Sequence, residues 1–286
     1  SAAFTEVNER LSQQRKKRKR GKGAKGDVLA AERIGAMKET SSHTPHASRS
    51  PGITCMALHP DASSTLIATG GVDKMVKLFD RATSEVVATL KGHSKRVNAV
   101  AVHPSVTTPF VLSGSADCTL RVWGEGGADA KWGQISRVDL GAPVVACAMH
   151  PSASHAAVAC SAAGGVSASW SIVDIGAATC VFPARPTAAL DFSAAQFHPD
   201  GVLLATGAAT GAVQIYDVKS TTRSSGYGAA LAFTGGACHS AAVNAIAMSD
   251  NGCVVVRHSL PPRARVFSAR CARPARRAVP SSLIDP

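Results

Sequence analysis

Short runs in which apolar side chains alternate with small or polar ones recur along the middle of the chain. They read Ile53-Thr-Cys-Met-Ala-Leu58, Val97-Asn-Ala-Val-Ala-Val102, Val144-Val-Ala-Cys-Ala-Met149, Phe192-Ser-Ala-Ala-Gln-Phe197 and Val243-Asn-Ala-Ile-Ala-Met248. A period of two predicts half-buried β-strands, because successive side chains leave opposite faces of the pleat. The first four runs end on His-Pro, at His59, His103, His150 and His198, with spacings of 44, 47 and 48 residues; the fifth ends on Ser249-Asp250. Proline has no N–H to give a ladder, so it closes the strand before it. After each opening run come a second run ending in small residues, a turn, and a third run. The third ends in an aromatic or apolar residue followed by Asp or Gly. The first copy continues Leu66-Ile-Ala-Thr-Gly-Gly-Val-Asp73 and Met75-Val-Lys-Leu-Phe79-Asp80. The second continues Phe110-Val-Leu-Ser113-Gly-Ser-Ala-Asp117 and Thr119-Leu-Arg-Val-Trp123-Gly124, and the fourth Val202-Leu-Leu-Ala-Thr-Gly207 and Val213-Gln-Ile-Tyr216-Asp217. Three strands and a connecting fourth in every roughly 40 to 50 residues predict propeller blades, and a period of two excludes a helical solenoid.

The second copy resembles the WD-repeat family. It carries Gly92-His93 ahead of its first strand, Asp117 in the turn between its second and third, and Trp123 closing the third. The resemblance implies that His93, Ser113, Asp117 and Trp123 hydrogen-bond in series, giving buried polar groups their partners and pinning the blade; this is a structural role. Other copies depart from the pattern. No Trp-Asp dipeptide occurs, the third copy has Ala162-Ala-Gly-Gly165 where the turn Asp belongs, and the fourth has Thr210-Gly211.

Composition changes this picture little. The 286 residues are 45% hydrophobic and 17% charged, enough for a sizeable core and unlike a wholly disordered chain. No uninterrupted apolar run reaches the roughly 18 residues that a membrane-spanning helix needs, and the first residues lack the apolar stretch of a signal peptide. The charge of +12 suggests a nucleic-acid binder until it is divided by region. Residues 1–50 hold 12 Lys and Arg against 5 Asp and Glu, and residues 251–286 hold 7 Arg against 1 Asp. The middle holds 12 basic against 13 acidic residues, a net of −1, so it has no electrostatic reason to sit on phosphate.

Candidate chemistry is sparse. Eight cysteines, Cys55, Cys118, Cys147, Cys160, Cys180, Cys238, Cys253 and Cys271, include no C-x-x-C pair. They read as small core hydrophobes in a reducing compartment, with no metal and no cofactor implied. Gly21-Lys-Gly-Ala-Lys-Gly26 matches G-x-G-x-x-G but follows a charge run instead of a strand, so it cannot aim a pyrophosphate at a helix N-terminus. The four His-Pro histidines occupy one place in four different repeats, which predicts turn roles and no shared catalytic or metal site. No G-x-S-x-G, Walker A or H-E-x-x-H segment occurs.

The flanks resemble something narrower. Thr5 to Arg18 is similar to the end of the coiled coil in the pre-mRNA-processing factor 19 family. Ser41-Ser-His-Thr-Pro-His46, Pro51-Gly-Ile-Thr54, Ala68-Thr-Gly-Gly-Val-Asp73, Leu78-Phe-Asp-Arg81 and Thr89-Leu-Lys-Gly-His-Ser-Lys95 follow in that family's order, nearest to plant and algal members. The similarity runs over roughly residues 4 to 252. It implies a spliceosome-associated U-box ubiquitin ligase, linked also to DNA repair, with a tetramerising coiled coil and a seven-bladed propeller that receives substrates and protein partners. On this resemblance the chain begins after the U-box, so the E2-binding surface and any transferase activity lie outside it, and the homotetramer's coiled coil is mostly missing.

The expected organisation is therefore an all-β, incomplete WD-repeat β-propeller of about four and a half of seven blades. Residues 1–14 would end a coiled-coil helix, 15–50 form a basic linker, 51–252 hold the blades, and 253–286 form an irregular Arg/Pro-rich tail. The tail reads either as a mistranslated or mispredicted end or as a genuine basic tail. Arg15, Lys16, Lys17, Arg18, Lys19, Arg20 and Lys22 open a run of eight cations in eleven residues, ending at Lys25. Such a run is expected to be a disordered arm, through self-repulsion, and reads as a nuclear import signal, a solvated linker or an RNA phosphate contact. The expected function is a nuclear scaffold and substrate-recruiting region acting in pre-mRNA splicing, with no membrane contact. The alternative is a non-catalytic nuclear WD-repeat adaptor outside splicing.

Overall fold

The computed structural model describes residues 36, 38–46, 52–59, 61, 63–103, 110–126, 131–186, 191–221, 229–237, 241–248, 254–258 and 265–267. The described residues contain strands and no helix. The first sheet is β1 (Ile53–Leu58), β2 (Leu66–Gly71), β3 (Met75–Asp80) and β4 (Glu85–Lys91); the second is β5 (Val97–Val102), β6 (Phe110–Ser115), β7 (Thr119–Gly126) and β8 (Lys131–Asp139). The third is β9 (Val144–Met149), β10 (His155–Cys160), β11 (Ser169–Asp174) and β12 (Thr179–Pro186); the fourth is β13 (Phe192–Phe197), β14 (Leu203–Ala208), β15 (Ala212–Thr221) and β16 (Ala229–Ala237). The fifth holds β17 (Val243–Met248), β18 (Val254–His258) and β19 (Arg265–Phe267). Every sheet is an antiparallel meander, and the opening strands β1, β5, β9, β13 and β17 stand side by side. The architecture is an incomplete WD β-propeller.

Part of the Arg/Pro-rich tail is regular: residues 254–258 and 265–267 add two strands to β17. Val254-Val255-Val256 is a β-branched run that suits a pleat.

The core lies in the seams between consecutive sheets. Ala68, Val76 and Leu78 of the first meet Val97, Val100, Val111 and Trp123 of the second. Leu112 and Val122 meet Val144 and Val158, Trp170 and Ile172 meet Phe192, Phe197 and Leu204, and Ala205 and Ile215 meet Val243 and Ile246. Among the described residues the outward side of β1 has no such neighbour: Met56 and Leu58 are 62% and 60% exposed, whereas Val100 and Val102, at the same register positions of β5, are 8% and 4% exposed.

Two local devices recur at the seams. Gly70 leaves room for the Val97 side chain, and Gly207 does the same for Val243; a Cβ at either would come within 2.6 Å and 2.5 Å of the valine Cγ1. All five opening strands, β1, β5, β9, β13 and β17, also carry an extra residue after their first position, a bulge that re-aims one side chain. In three of them that residue is polar and reaches the next sheet. Thr54 Oγ1 donates to the Val97 carbonyl, Asn98 Nδ2 to Val144 O at 2.7 Å, and Ser193 Oγ to Val243 O at 2.5 Å.

Candidate functional site

In the second sheet the hairpin between β6 and β7 turns through Ala116-Asp117-Cys118, with Cys118 at φ 68 and its N–H donating to Ser115 O at 3.3 Å. Asp117 sits where its carboxylate can collect donors from both sides. Oδ1 accepts from the Thr119 hydroxyl at 2.7 Å and the Thr119 N–H at 3.1 Å; Oδ2 accepts from the Ser94 N–H and from His93 Nδ1, both at 2.9 Å. On the other side of the ring, Ser113 Oγ lies 2.8 Å from His93 Nε2 and accepts the Trp123 indole N–H at 2.7 Å. The structure thus brings His93, Ser113, Asp117 and Trp123 together in one series. Burial opposes the charge on Asp117, but Thr119, the Ser94 N–H and His93 outweigh it and hold the carboxyl well below the ordinary carboxylate range. Burial also keeps the His93 ring below its ordinary value, against the pull of Asp117.

An Asp, a His and a Ser in this order have the connectivity of a nucleophilic triad. Access decides against that chemistry. Ser113 is fully buried, and its oxygen already accepts the Trp123 N–H, so no substrate carbonyl can approach it. The series completes the hydrogen bonding of buried polar groups and fixes the hairpin against the segment that opens the blade.

The first sheet has a counterpart that the sequence did not disclose. His46 Nδ1 meets both carboxylate oxygens of Asp73 at 2.9 Å, and its Nε2 lies 3.0 Å from Thr69 Oγ1. His46 falls within the stretch expected to be linker, yet it is buried and belongs to the first blade. It stands seven residues ahead of Ile53, whereas His93 stands four ahead of Val97. Its 27-residue separation from Asp73, close to the 24 of the second blade, is the signal that could have found it. Phe79 replaces tryptophan here, so Thr69 receives no indole, and its hydroxyl donates instead to Lys77 O at 3.2 Å.

Each His-Pro histidine closes the opening strand of its own sheet, and two of them reach the next sheet. His150 accepts the Ser152 N–H on Nδ1 at 3.1 Å, donates from Nε2 to Gly201 O at 3.1 Å, and meets the Phe197 ring edge-on at 4.9 Å. The His103 ring hydrogen-bonds the backbone of Ala153. Ala153 and Gly201 are equivalent, each the third residue after a His and each with positive φ, at 64° and 70°. His59 accepts the Asp61 N–H on Nδ1, and His198 Nδ1 contacts Asp200 Oδ1. Burial lowers His150 to about 4. Burial also raises the thiols of Cys55, to about 11, and of Cys160, to about 12, which leaves them unreactive. Among the described residues no group of three or more His, Cys, Asp and Glu is placed to hold a metal. Arg15 to Lys22 and Gly21 to Gly26 lie outside the described residues.

Residues 37–80 and 84–124 match the family described as WD domain, G-beta repeat. The chain is an incomplete WD-repeat β-propeller. Its two matched segments are those that contain the histidine networks, one from His46 to Asp73 and one from His93 to Trp123. Much of the chain is also similar to curated proteins. It is 34% identical over 251 residues to "Pre-mRNA-processing factor 19 homolog 2" of Arabidopsis thaliana, covering 87% of this chain and 43% of that protein. It is 33% identical over 225 residues to "Pre-mRNA-processing factor 19" of Caenorhabditis elegans, covering 77% and 42%. It is 31% identical over 251 residues to the Oryza sativa subsp. japonica protein of that name, covering 87% and 43%. The propeller chain thus spans less than half the length of these relatives.

Proposed function

We propose that this WD-repeat chain is the scaffold and substrate-recruiting region of a nuclear, spliceosome-associated ubiquitin ligase that acts in pre-mRNA splicing and DNA repair. The observation that carries the reading is similarity to pre-mRNA-processing factors over 87% of the chain at up to 34% identity. The buried Asp117-His93-Ser113 series supports a binding role for this region, because its polar groups are engaged with one another and closed to substrate. Transfer of ubiquitin would then fall to a U-box and its E2 enzyme, and tetramer formation to the coiled coil. The cations from Arg15 to Lys22 would serve nuclear import or link coiled coil to propeller.

Two measurements test this. A tagged full chain expressed in the nucleus is expected to co-purify splicing proteins; recovery of none would favour an adaptor outside splicing. Sequencing the transcript upstream of Ser1 is expected to reveal a U-box, and a complete gene without one would remove the ligase part.

A further inference from the structure

The rim of the first two blades that carries the β2–β3 and β6–β7 turns is unlike the same rim of the third and fourth. Lys74, Lys91, Lys95 and Arg96 are all exposed there, and none is in an ion pair among the described residues. Lys91 is the register partner of Met75 and so lies beside Lys74. Lys95 and Arg96 are held by their backbone: Ser115 Oγ donates to their carbonyls at 3.1 Å and 2.8 Å, and the Ala116 N–H donates to Arg96 O at 3.1 Å. Arg96 directly precedes Val97, which packs on Gly70 two residues before the exposed Val72, so this rim also carries an apolar side chain. The carboxylates of this rim are occupied: Asp73 by His46, Asp117 by His93, Ser94 and Thr119, and Asp139 by Arg137. In contrast, the corresponding turns of the third and fourth blades read Ala163-Gly-Gly-Val166 and Ala209-Thr-Gly211, with no charge.

We propose that this rim is a docking surface for an acidic protein segment, with Lys74, Lys91, Lys95 and Arg96 facing its carboxylates and Val72 receiving an apolar side chain between them. The inference rests on the reading of this chain as a partner-recruiting module. Four exposed cations outnumber the two carboxylates of Asp73 and Asp117, while Asp139 is paired with Arg137, so the rim keeps a net positive charge. A protein segment fits better than RNA, because the rim offers no exposed aromatic for a base to stack on; Trp123 beneath it is 2% exposed.

The test uses the full chain and a fluorescent twelve-residue Asp/Glu peptide with one central leucine and a photo-crosslinker. Peptide binding is expected to weaken with salt and to fall about tenfold in K95E/R96E. R81E, at the opposite end of the first blade, should change it less than about twofold, and all three proteins should melt at the same temperature. Crosslinks should map to residues 91–96, which separates the rim from the basic termini. Unchanged binding in K95E/R96E, or crosslinks confined to the termini, would overturn the proposal. So would tighter binding of a single-stranded RNA with the same loss in K95E/R96E, which would assign the rim to RNA. Recovery of splicing proteins by the tagged chain is read separately. If it persists while the peptide ignores Lys95 and Arg96, the rim proposal fails and the functional reading stands; the reverse pattern fails the functional reading and leaves the rim.

Discussion

The second and third blades solve the same hairpin by different means. In the second, Asp117 ties the turn to His93, Ser94 and Thr119, with Cys118 held in a left-handed conformation. In the third, Gly164 and Gly165 supply positive φ at 58° and 83°, closed by the Ala163–Val166 bridge, and no side chain is needed. Tryptophan follows the same division. Trp123 gives its N–H to Ser113, while Trp170, 3% exposed, buries its Nε1 with no partner among the described residues. One blade is specified by a polar network and the other by backbone freedom and packing. The first depends on every member of its network, and the second tolerates an imperfection at its centre.

Breaking the network should have the largest effect. Asp117→Ala leaves the His93 ring, the Ser94 N–H and the Thr119 hydroxyl without their acceptor and should cost about 3 kcal/mol in urea unfolding. Gly165→Ala in the third blade, strained only through its φ, should cost about 1 kcal/mol. If the two variants cost the same, the division between the blades is wrong.

Acid should act next. His150 is depressed to about 4 in the folded chain, so below an unfolded value of about 6.5 the unfolded state takes up the proton first and stability falls with pH. The loss should be complete near pH 4 and amount to about 3 kcal/mol from this group. The depressed carboxyl of Asp117 adds a further loss at still lower pH, as the solution passes below the unfolded value near 3.8. His150→Gln, whose amide can still donate to Gly201 O, should shrink the loss between pH 6.5 and 4 to the part that other buried histidines such as His93 and His103 contribute; an unchanged profile would show that the blade-to-blade histidine is not a source of it.

The tryptophans sharpen the contrast further. Trp123→Phe should cost about 1 to 2 kcal/mol, because Ser113 loses its donor, while Trp170→Phe removes a buried orphan N–H and should be close to neutral. Equal losses by thermal melting would remove the distinction. Smallest of all, Cys118→Gly should stabilise by about 0.5 kcal/mol by relieving its left-handed backbone, measured as a small rise in urea midpoint.

Much of this was legible in the sequence, because the repeat is written in strand-length alternation and the second blade keeps its His, Ser, Asp and Trp at recognisable spacings. His46 escaped because three extra residues separate it from its strand. The bulge residues Thr54, Asn98 and Ser193 look like ordinary polar interruptions of an alternating run; only the extra backbone residue turns them toward the next sheet. The reach of His150 to Gly201 spans 51 residues, and no local pattern encodes such a distance. Beyond Gly252, the count of prolines and arginines concealed a valine run that is enough for a strand.

The seams have a consequence during synthesis. Each is made by one repeat and the next, through pairs such as Gly70 with Val97 and Gly207 with Val243, and never requires a repeat not yet made. A ribosome adding about 5 to 20 residues per second takes a few seconds to deliver each further repeat. As each later sheet emerges, the surface it must dock on has already been released, so the arc can grow in the direction of translation, one seam at a time.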